Sequence, residues 1–402
     1  MKKTKILYIH HGGGMDGASM SLLYLLNHLD RDRYEPIVAC GKYCPAAKEL
    51  FEKNGFETRM LSMSFFSHVW PAGWWPLYSP KGILQLLNWV FLQHPRFVKD
   101  FKKVVREVQP DIVHFNSLVL APATYTARRM GLKVVLHVRE SVIKGTVGIR
   151  LKWLRWLANS CTNWTIYICK DNQNKLTGST KNSSVIYNPI PFEKFDYTLD
   201  GTPIREELHI PKNATVLFFP GGSGLKPKGI IPFLQAFKQI RKTNKNVFAL
   251  LPEKIMPPKT WWQSLQFWKK NDQEIIKTFS PVEGLIRAPF SLDVHRYFAL
   301  SDLIVVPFVV PHFSRAVMEA GAMKKPVVGS RIGGIKEVVD ENITGLLAEP
   351  NNAIDLSNKL LKLIENKQKQ QSMGEAGYKN ALRLFHAKDH AIAVMKIYDQ
   401  LK

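Results

Sequence analysis

Short, nearly uninterrupted apolar runs alternate along this chain with longer stretches in which apolar residues recur every three or four positions. Runs of the first kind are strands covered on both faces, and stretches of the second kind are helices that cover them, so the pattern predicts parallel sheets flanked by helices. In the first half, strands are expected over Ile6 to His10, Pro36 to Ala39, Asp111 to Phe115, Val134 to Val138 and Thr165 to Cys169. Helical stretches such as Ser19 to Leu29 and Leu118 to Met130 follow them. The alternation restarts at Ala214 to Phe219, which leads through a glycine turn into a helix over Ile230 to Ile240. Val247 to Leu251, Leu303 to Val306 and Pro326 to Gly329 continue the second sheet.

Between the halves lies Tyr187-Asn188-Pro189-Ile190-Pro191-Phe192, where two prolines stop regular structure and stiffen a connection. This places an N-terminal domain at 1–190 and a second at 191–385. A length of 402 residues agrees with two domains, since single cores stop growing near ~250 to 300 residues. The expected class is α/β, with two doubly wound domains and a cleft at the carboxyl ends of their strands, where such sheets take ligands.

Charge narrows the partner. Lysine and arginine number 56 against 33 acids, a net +23 that favours an anionic partner: a phosphate-bearing ligand, nucleic acid or acidic lipid. The basic residues are spread along the chain and form no recognisable nucleic-acid module, so specific nucleic-acid binding is not expected. Cys40, Cys44, Cys161 and Cys169 lack zinc-site spacing and are too few for a disulfide framework, which suits buried thiols in a reducing compartment. Histidines and glycines end the N-terminal apolar run early, so it reads as a first strand rather than a signal peptide. The most hydrophobic region, Ser64 to Leu92, is interrupted by Pro71, Pro76, Pro80 and Lys81 and does not reach the ~20 residues of a membrane span. It carries Trp70, Trp74, Trp75, Tyr78 and Trp89, followed by Arg96, Lys99, Lys102 and Lys103. That mixture suits a lipid headgroup interface and equally a cap on the domain core. Glu253 to Phe279, with Trp261, Trp262 and Trp268 among lysines, is expected to be an insertion on the second domain.

Two glycine turns stand between a strand and a helix. The first, His10-His11-Gly12-Gly13-Gly14-Met15-Asp16-Gly17, lets a backbone approach phosphate or a sugar hydroxyl, with Gly13 and Gly14 as the contacts. The second, Gly221 to Gly229, adds Lys226 and Lys228 and offers a diphosphate both amides and cations; it lacks Walker A spacing. Further on, Pro311-His312-Phe313-Ser314-Arg315-Ala316 opens a helix bearing Glu319, placed to accept hydrogen bonds from ribose hydroxyls. No acidic cluster with metal-ligand spacing is evident, and no metal or other cofactor is expected.

The order of a strand, a proline, a helix with Glu319-Ala320, then Lys325-Pro326-Val327-Val328, Gly333-Gly334-x-x-Glu337-x-Val339 and Thr344-Gly345-Leu346-Leu347 resembles the donor-binding domain of GT-B retaining glycosyltransferases of family 4, the glycosyl transferases group 1 domain. The likeness is strongest over Leu303 to Pro350 and extends more weakly along the whole chain. It implies a GT-B fold, with the last segment, 386–402, packing back on the first domain. It also implies a metal-independent transfer of sugar from a nucleotide diphosphate with retention of configuration. In this resemblance Glu319 matches the second glutamate of the Glu-x7-Glu motif, Lys228 the phosphate lysine, and Phe313, Ser314, Arg315 and Ala316 the loop near sugar and diphosphate. Gly333 and Gly334 match a later donor-side turn, and His137 is similar to the acceptor-domain histidine near the transferred sugar, with Arg139 and Glu140 beside it. Two positions depart: Pro311 stands where the family has its first glutamate, and Ser223 where it has the phosphate arginine, a place Lys226, His312 or Arg315 is positioned to fill. The net charge of +23, the aromatic and basic surface of the first domain and the absence of a spanning run favour a glycan or lipid-linked glycan acceptor of cell-surface polysaccharide synthesis at the cytoplasmic leaflet, with an anionic membrane surface as a further partner. The departures also suit a catalytically silent sugar-nucleotide-binding protein.

Overall fold

The computed structural model describes all residues except 1, 15, 65–78, 143, 145–147, 179–181, 222–225, 254–281 and 290–292. Two compact units result: Met1–Pro189 together with Phe385–Lys402, and Ile190–Leu384.

The first unit is built on a seven-stranded sheet of order β3-β2-β1-β4-β5-β6-β7, parallel throughout. Its strands are β1 (Thr4–Ile9), β2 (Tyr34–Gly41), β3 (Glu57–Leu61), β4 (Ile112–Phe115), β5 (Lys133–Val138), β6 (Trp164–Tyr167) and β7 (Ser183–Val185). The helices between them are α1 (Gly17–Asn27), α2 (Pro45–Lys53), α3 (Pro80–Asn88), α4 (His94–Val108), α5 (Ala121–Arg129), α6 (Ile149–Ser160) and α7 (Lys170–Leu176). Strand periodicity divides the core. In β1, Leu7 and Ile9 join the cluster formed with α4, α5 and α6, whereas Ile6 and Tyr8 join the one formed with α1, α2 and the C-terminal helix Ala387–Leu401. Helix α4 shows why one side of a helix is drawn in: Phe97, Phe101, Val104, Val105 and Val108 recur at helical spacing and are buried.

The second unit carries a six-stranded parallel sheet of order β10-β9-β8-β11-β12-β13. Its strands are β8 (Thr215–Phe218), β9 (Val247–Glu253), β10 (Leu285–Pro289), β11 (Leu303–Val306), β12 (Val327–Ser330) and β13 (Gly345–Ala348). Helices α8 (Thr202–Glu207) and α9 (Ile230–Thr243) precede and follow β8, and Arg315–Ala322 follows β11. Five strands lie on segments the apolar runs predict less clearly or not at all. β3 and β7 are edge strands with polar residues, β10 holds a partly exposed Arg-Ala-Pro end, and β13 belongs to the Thr-Gly-Leu-Leu segment read only as a motif. β6 starts and ends earlier than Thr165 to Cys169, because Ile168 and Cys169 turn toward α7. The second tryptophan-rich segment, with Trp261, Trp262 and Trp268, and most of the first, with Trp70, Trp74, Trp75 and Tyr78, lie outside the described residues.

The C-terminal helix is held to the first sheet by polar groups sunk in the core. The hydroxyls of Tyr8 and Tyr398 are 2.9 Å apart, and His114 Nδ1 is 2.6 Å from the Tyr398 oxygen. His390 Nδ1 lies 2.8 Å from the Tyr187 carbonyl oxygen. His137 sits between them, its ring 5.5 Å from His114 and 6.1 Å from His390. All three imidazoles are buried, and burial is the largest cause that lowers each of them, with the nearby Arg139 charge adding to it; His390 is pushed down to about 3. They are therefore neutral in the folded protein. An unfolded chain binds protons at these sites below about pH 6.5, so stability is full above that value and is lost as pH falls from it toward about 3. The unfolding free energy of the first unit, read from urea titrations, is expected to drop between pH 7.5 and pH 5.5, by up to ~1.4 kcal/mol per pH unit for each histidine. Replacing His137 by phenylalanine should flatten that dependence; an unfolding free energy equally pH-dependent in both proteins would show that the buried imidazoles are not its source.

Candidate functional site

Both sheets reverse direction at one point. In the first unit the chain runs outward through β1, β2 and β3 and then returns to lay β4 on the other side of β1; in the second it runs through β8, β9 and β10 and returns to lay β11 beside β8. The loops leaving the carboxyl ends of the two strands at such a switch part in opposite directions and leave a crevice, the place where open α/β sheets take ligands.

In the second unit three loops meet at this place. Gly229 ends the turn after β8 with φ +84°, and a Cβ there would overlap the carbonyl oxygen of Pro307, which directly follows β11. The Val309 amide donates to the Pro227 carbonyl at 3.0 Å, tying the two loops together. Gly333, in the turn after β12, has φ +54°, and a Cβ on it would lie 2.8 Å from the His312 nitrogen. Two helices start at this junction, α9 at Gly229 and Arg315–Ala322 at Ser314, and neither start is capped by its own side chain. Free amides at a helix start carry partial positive charge and suit an anion.

Side chains add to that charge. Lys228 is half-buried and donates from Nζ to the Gly221 carbonyl oxygen; Lys226 is exposed. Arg315 Nε donates to Glu319 Oε1 at 3.2 Å, one helical turn on, and the Glu319 side chain is only 12% exposed. Burial raises the Glu319 carboxyl above its ordinary value, opposed by Arg315 and by Lys194. His312 stacks on Phe308 at 4.8 Å, and burial, with Lys228 adding, lowers it to about 4, so it is neutral near pH 7. Phe313, Ser314, Ala316, Gly333 and Gly334 are buried in the same loops. The structure thus gathers Lys228, Phe313, Ser314, Arg315, Ala316, Glu319, Gly333 and Gly334; Ser223 lies outside the described residues.

The switch point of the first unit is filled differently. Asp16 caps α1, with Oδ1 accepting from the Ala18 amide at 3.0 Å and the Ser19 amide at 2.9 Å and Oδ2 accepting from the Gly13 amide. Burial pushes the Asp16 carboxyl up, but the Ser19 and Gly13 amides, with His10 and His11 adding, outweigh it and the net shift is downward. The Gly13 amide expected to meet a ligand therefore meets this carboxylate, and the Gly14 amide lies 3.3 Å from Ser19 Oγ. Behind the turn runs a chain of buried groups. Arg139 Nε donates to Asn116 Oδ1 at 2.7 Å, which orients the amide so that Asn116 Nδ2 faces His10 Nδ1 at 3.0 Å. His10 Nε2 is then the protonated nitrogen and donates to Ser19 Oγ at 2.9 Å, and Arg139 Nη1 donates to Asn188 Oδ1 at 2.5 Å. At the outer edge, Glu140 accepts from Ser117 Oγ and from the Leu118 amide at 2.9 Å, with His11 Nε2 at 3.7 Å.

His137 lies within β5 rather than at its end. Alternation along the strand turns it toward the C-terminal helix, where it is fully buried, and neither ring nitrogen has a hydrogen-bond partner among the described residues. The polar groups at the carboxyl end of β5 are Arg139 and Glu140. Asp16 and Asn116 were not singled out from the sequence. The signal for Asp16 was available, since an aspartate directly before a helical stretch is a preferred cap. Asn116 follows β4 without any pattern that marks it. Among the described residues no group of three or more histidines, cysteines or acids is placed to hold a metal ion, and no helix is long and apolar enough to cross a membrane.

Comparison with known proteins agrees with this division. The Glycosyltransferase Family 4 model matches residues 15–194 and the Glycosyl transferases group 1 model residues 200–380. An uncharacterized glycosyltransferase of Methanocaldococcus jannaschii is 34% identical over 137 residues, which cover 34% of this chain and 38% of that protein, so the match spans well under half of the relative. The UDP-Gal:alpha-D-GlcNAc-diphosphoundecaprenol alpha-1,3-galactosyltransferase of Escherichia coli is 25% identical over 291 residues, 67% of this chain and 72% of that one. Among solved structures, Anabaena HepE in complex with UDP superposes with a TM-score of 0.77 at 19% identity, covering 99% of this chain and 100% of HepE, a likeness of fold.

The junction of three loops makes a direct prediction. Gly229→Ala is expected to destabilise the second unit by at least ~2 kcal/mol, because the new methyl group meets both an unfavourable φ and the Pro307 carbonyl. A thermal unfolding midpoint equal to that of the unaltered protein would show that the turn relaxes without the contact to β11.

Proposed function

Since this chain belongs to glycosyltransferase family 4 and has the GT-B fold, we propose that it transfers a sugar from a nucleotide diphosphate to a glycan or lipid-linked glycan acceptor, with retention of configuration. The observation that carries this reading is the pair of uncapped helix starts at the β8–β11 switch, with Lys228 and Arg315 beside them. That arrangement suits a diphosphate. Glu319, kept largely out of water and held by Arg315, is assigned to the ribose hydroxyls. Phe313 to Ala316, Gly333 and Gly334 are assigned to the backbone around the diphosphate and sugar, and exposed Lys226 is assigned the charge that the family's phosphate arginine would supply.

In the reaction, the bond from the sugar anomeric carbon to the diphosphate oxygen breaks and the acceptor hydroxyl oxygen forms a new bond to that carbon on the same face. The hydroxyl proton passes to the departing phosphate oxygen. Negative charge grows on the diphosphate as it leaves, and Lys228, Arg315 and the helix-start amides stabilise it more in the transition state than in the bound donor. No metal is required in this scheme. The acceptor hydroxyl is assigned to the first unit. There Asp16 already takes the Gly13 amide and the start of α1, and its ionised carboxylate disfavours a second anion; His11 and Glu140 at the outer edge of the turn are assigned to a neutral hydroxyl. His137 is assigned a supporting place beneath Arg139 rather than contact with the sugar.

The E. coli relative acts on a diphosphoundecaprenol-linked sugar and uses a UDP-sugar, so UDP-sugars are the first donors to test and a lipid-linked glycan at the inner membrane surface the first acceptor. Pro311, in place of the first motif glutamate, supports a second reading in which the chain binds the nucleotide sugar without transferring it. UDP and UDP-sugars are expected to raise the thermal unfolding temperature of the protein. Lys228→Ala and Glu319→Ala should each weaken binding by ~10-fold or more, about 1.4 kcal/mol. Stabilisation unaltered by both substitutions would remove the donor from this site, and stabilisation without turnover on any lipid-linked acceptor would favour the binding protein.

A further inference from the structure

Helix α3 stands apart from the core that the other helices build. Every residue from Ile83 to Asn88 is exposed, and Leu84 and, just beyond the helix, Phe91 leave 65% and 68% of their surfaces to solvent. None of these side chains belongs to either core cluster of the first unit. At about 100° per residue, Ile83, Leu84, Leu86 and Leu87 spread over ~160° of the helix, with Gln85 and Asn88 behind them. Exposed apolar surface of this extent on one element marks a site of association.

The neighbouring elements define the partner. A π-helical turn, Trp89–Gln93, joins α3 to α4, whose buried face anchors the whole run. On the exposed face of α4 stand Arg96, Lys99, Lys102, Lys103 and Arg106. The acids of α4 are Asp100, which accepts from Lys42 at 2.8 Å, and Glu107, 3.8 Å from Lys103. The Trp89 ring meets Trp153 of α6 edge-on at 6.1 Å, so α6 lies alongside. From α6, Trp156 is 46% exposed, and its ring lies tilted at 6.0 Å from Tyr125, itself 45% exposed. Aliphatic side chains, half-exposed indole and phenol rings and a row of cations thus share one region of the first unit.

We propose that this region docks on the anionic face of a lipid bilayer, with α3 lying in the plane of the interface. The aliphatic arc of α3 enters the acyl boundary, Trp156 and Tyr125 sit at headgroup level where a ring with one polar edge gains most, and the cations of α4 meet lipid phosphates. A second copy of this chain is a poor occupant, because it would bring the same cations against these. The apolar arc is also wider than the stripe a helix buries against a protein groove, whereas a fluid layer covers it whole. The proposal deepens the lipid-linked acceptor reading and rests on it for its purpose, since docking here brings the acceptor-binding unit to the surface where such a lipid resides; its geometry is independent of that reading.

Sedimentation of the full chain with vesicles tests it. Vesicles containing phosphatidylglycerol should bind the protein, and vesicles of phosphatidylcholine alone should bind it at least ~10-fold more weakly. The double variant Leu84→Ser, Phe91→Ser should lose ~10-fold or more of the binding to anionic vesicles, with an unaltered circular dichroism spectrum and an unaltered thermal shift with UDP. Absent binding to anionic vesicles, or equal binding by the double variant, overturns the proposal. So does a dimer seen by light scattering that the double variant converts to a monomer, which would assign the face to a second copy. Because sedimentation uses neither donor nor acceptor, vesicle binding without any sugar transfer would sink the enzymatic reading and leave this one standing, and transfer without vesicle binding would do the reverse.

Discussion

The candidate site of the second unit is organised by two helices that begin, without side-chain caps, at the reversal between β8 and β11. An all-parallel sheet aims the start of every following helix at the same edge, and the reversal of strand order leaves a crevice between two of those starts. Gly229 and Gly333 make the arrangement compact, since a side chain at either would push one loop off its neighbour. Lys228 stands on a loop tied to the one after β11 by the Val309–Pro227 hydrogen bond, and Arg315 and Glu319 lie on the first turns of the helix that follows that second loop. Their charges act in partial burial, where Coulomb interactions are stronger than on an open surface.

The first unit repeats the topology and reaches the opposite electrostatic result. There Asp16 occupies the amides that would otherwise be offered, and the backbone hydrogen bonds that hold it ionised also fix the glycine turn. The buried chain from Arg139 through Asn116, His10 and Ser19 to Asp16 links the ends of β5, β4 and β1 into one polar network. With its positive helix start neutralised from within, this edge is better suited to hydroxyl groups than to phosphate. Two sheets of one topology thus differ in the charge their switch points offer through a single capping residue.

Much of the framework was legible in the chain. The buried strands near the centre of each sheet are covered on both faces, so they appear as plain apolar runs. Edge strands have one open side and tolerate Glu57 or Ser183, which hides β3 and β7 from the same reading. The glycine turn ending at Gly229 was recognisable because a close backbone approach demands glycine, and its position beside β11 agrees with that. His137 misled for a physical reason: a histidine near a strand end is visible in sequence, but the face it takes depends on which helix covers the strand. In the sequence, an interface in the region after Ser64 rests on its aromatic residues, most of which lie outside the described residues; among the described ones the exposed apolar surface is that of α3, Phe91 and, on a separate helix, Trp156.

Taken alone, the order of residues determined the two α/β halves, the proline joint between them, the cationic balance and the candidate diphosphate loop, because each follows from local pattern or composition. Only the tertiary structure decided that Asp16 closes the first glycine turn, that His137 turns inward beneath Arg139, and that α3 is left without a core to bury it. Those outcomes depend on which elements pack against which, and contacts between residues tens to hundreds of positions apart leave no periodic trace in the chain.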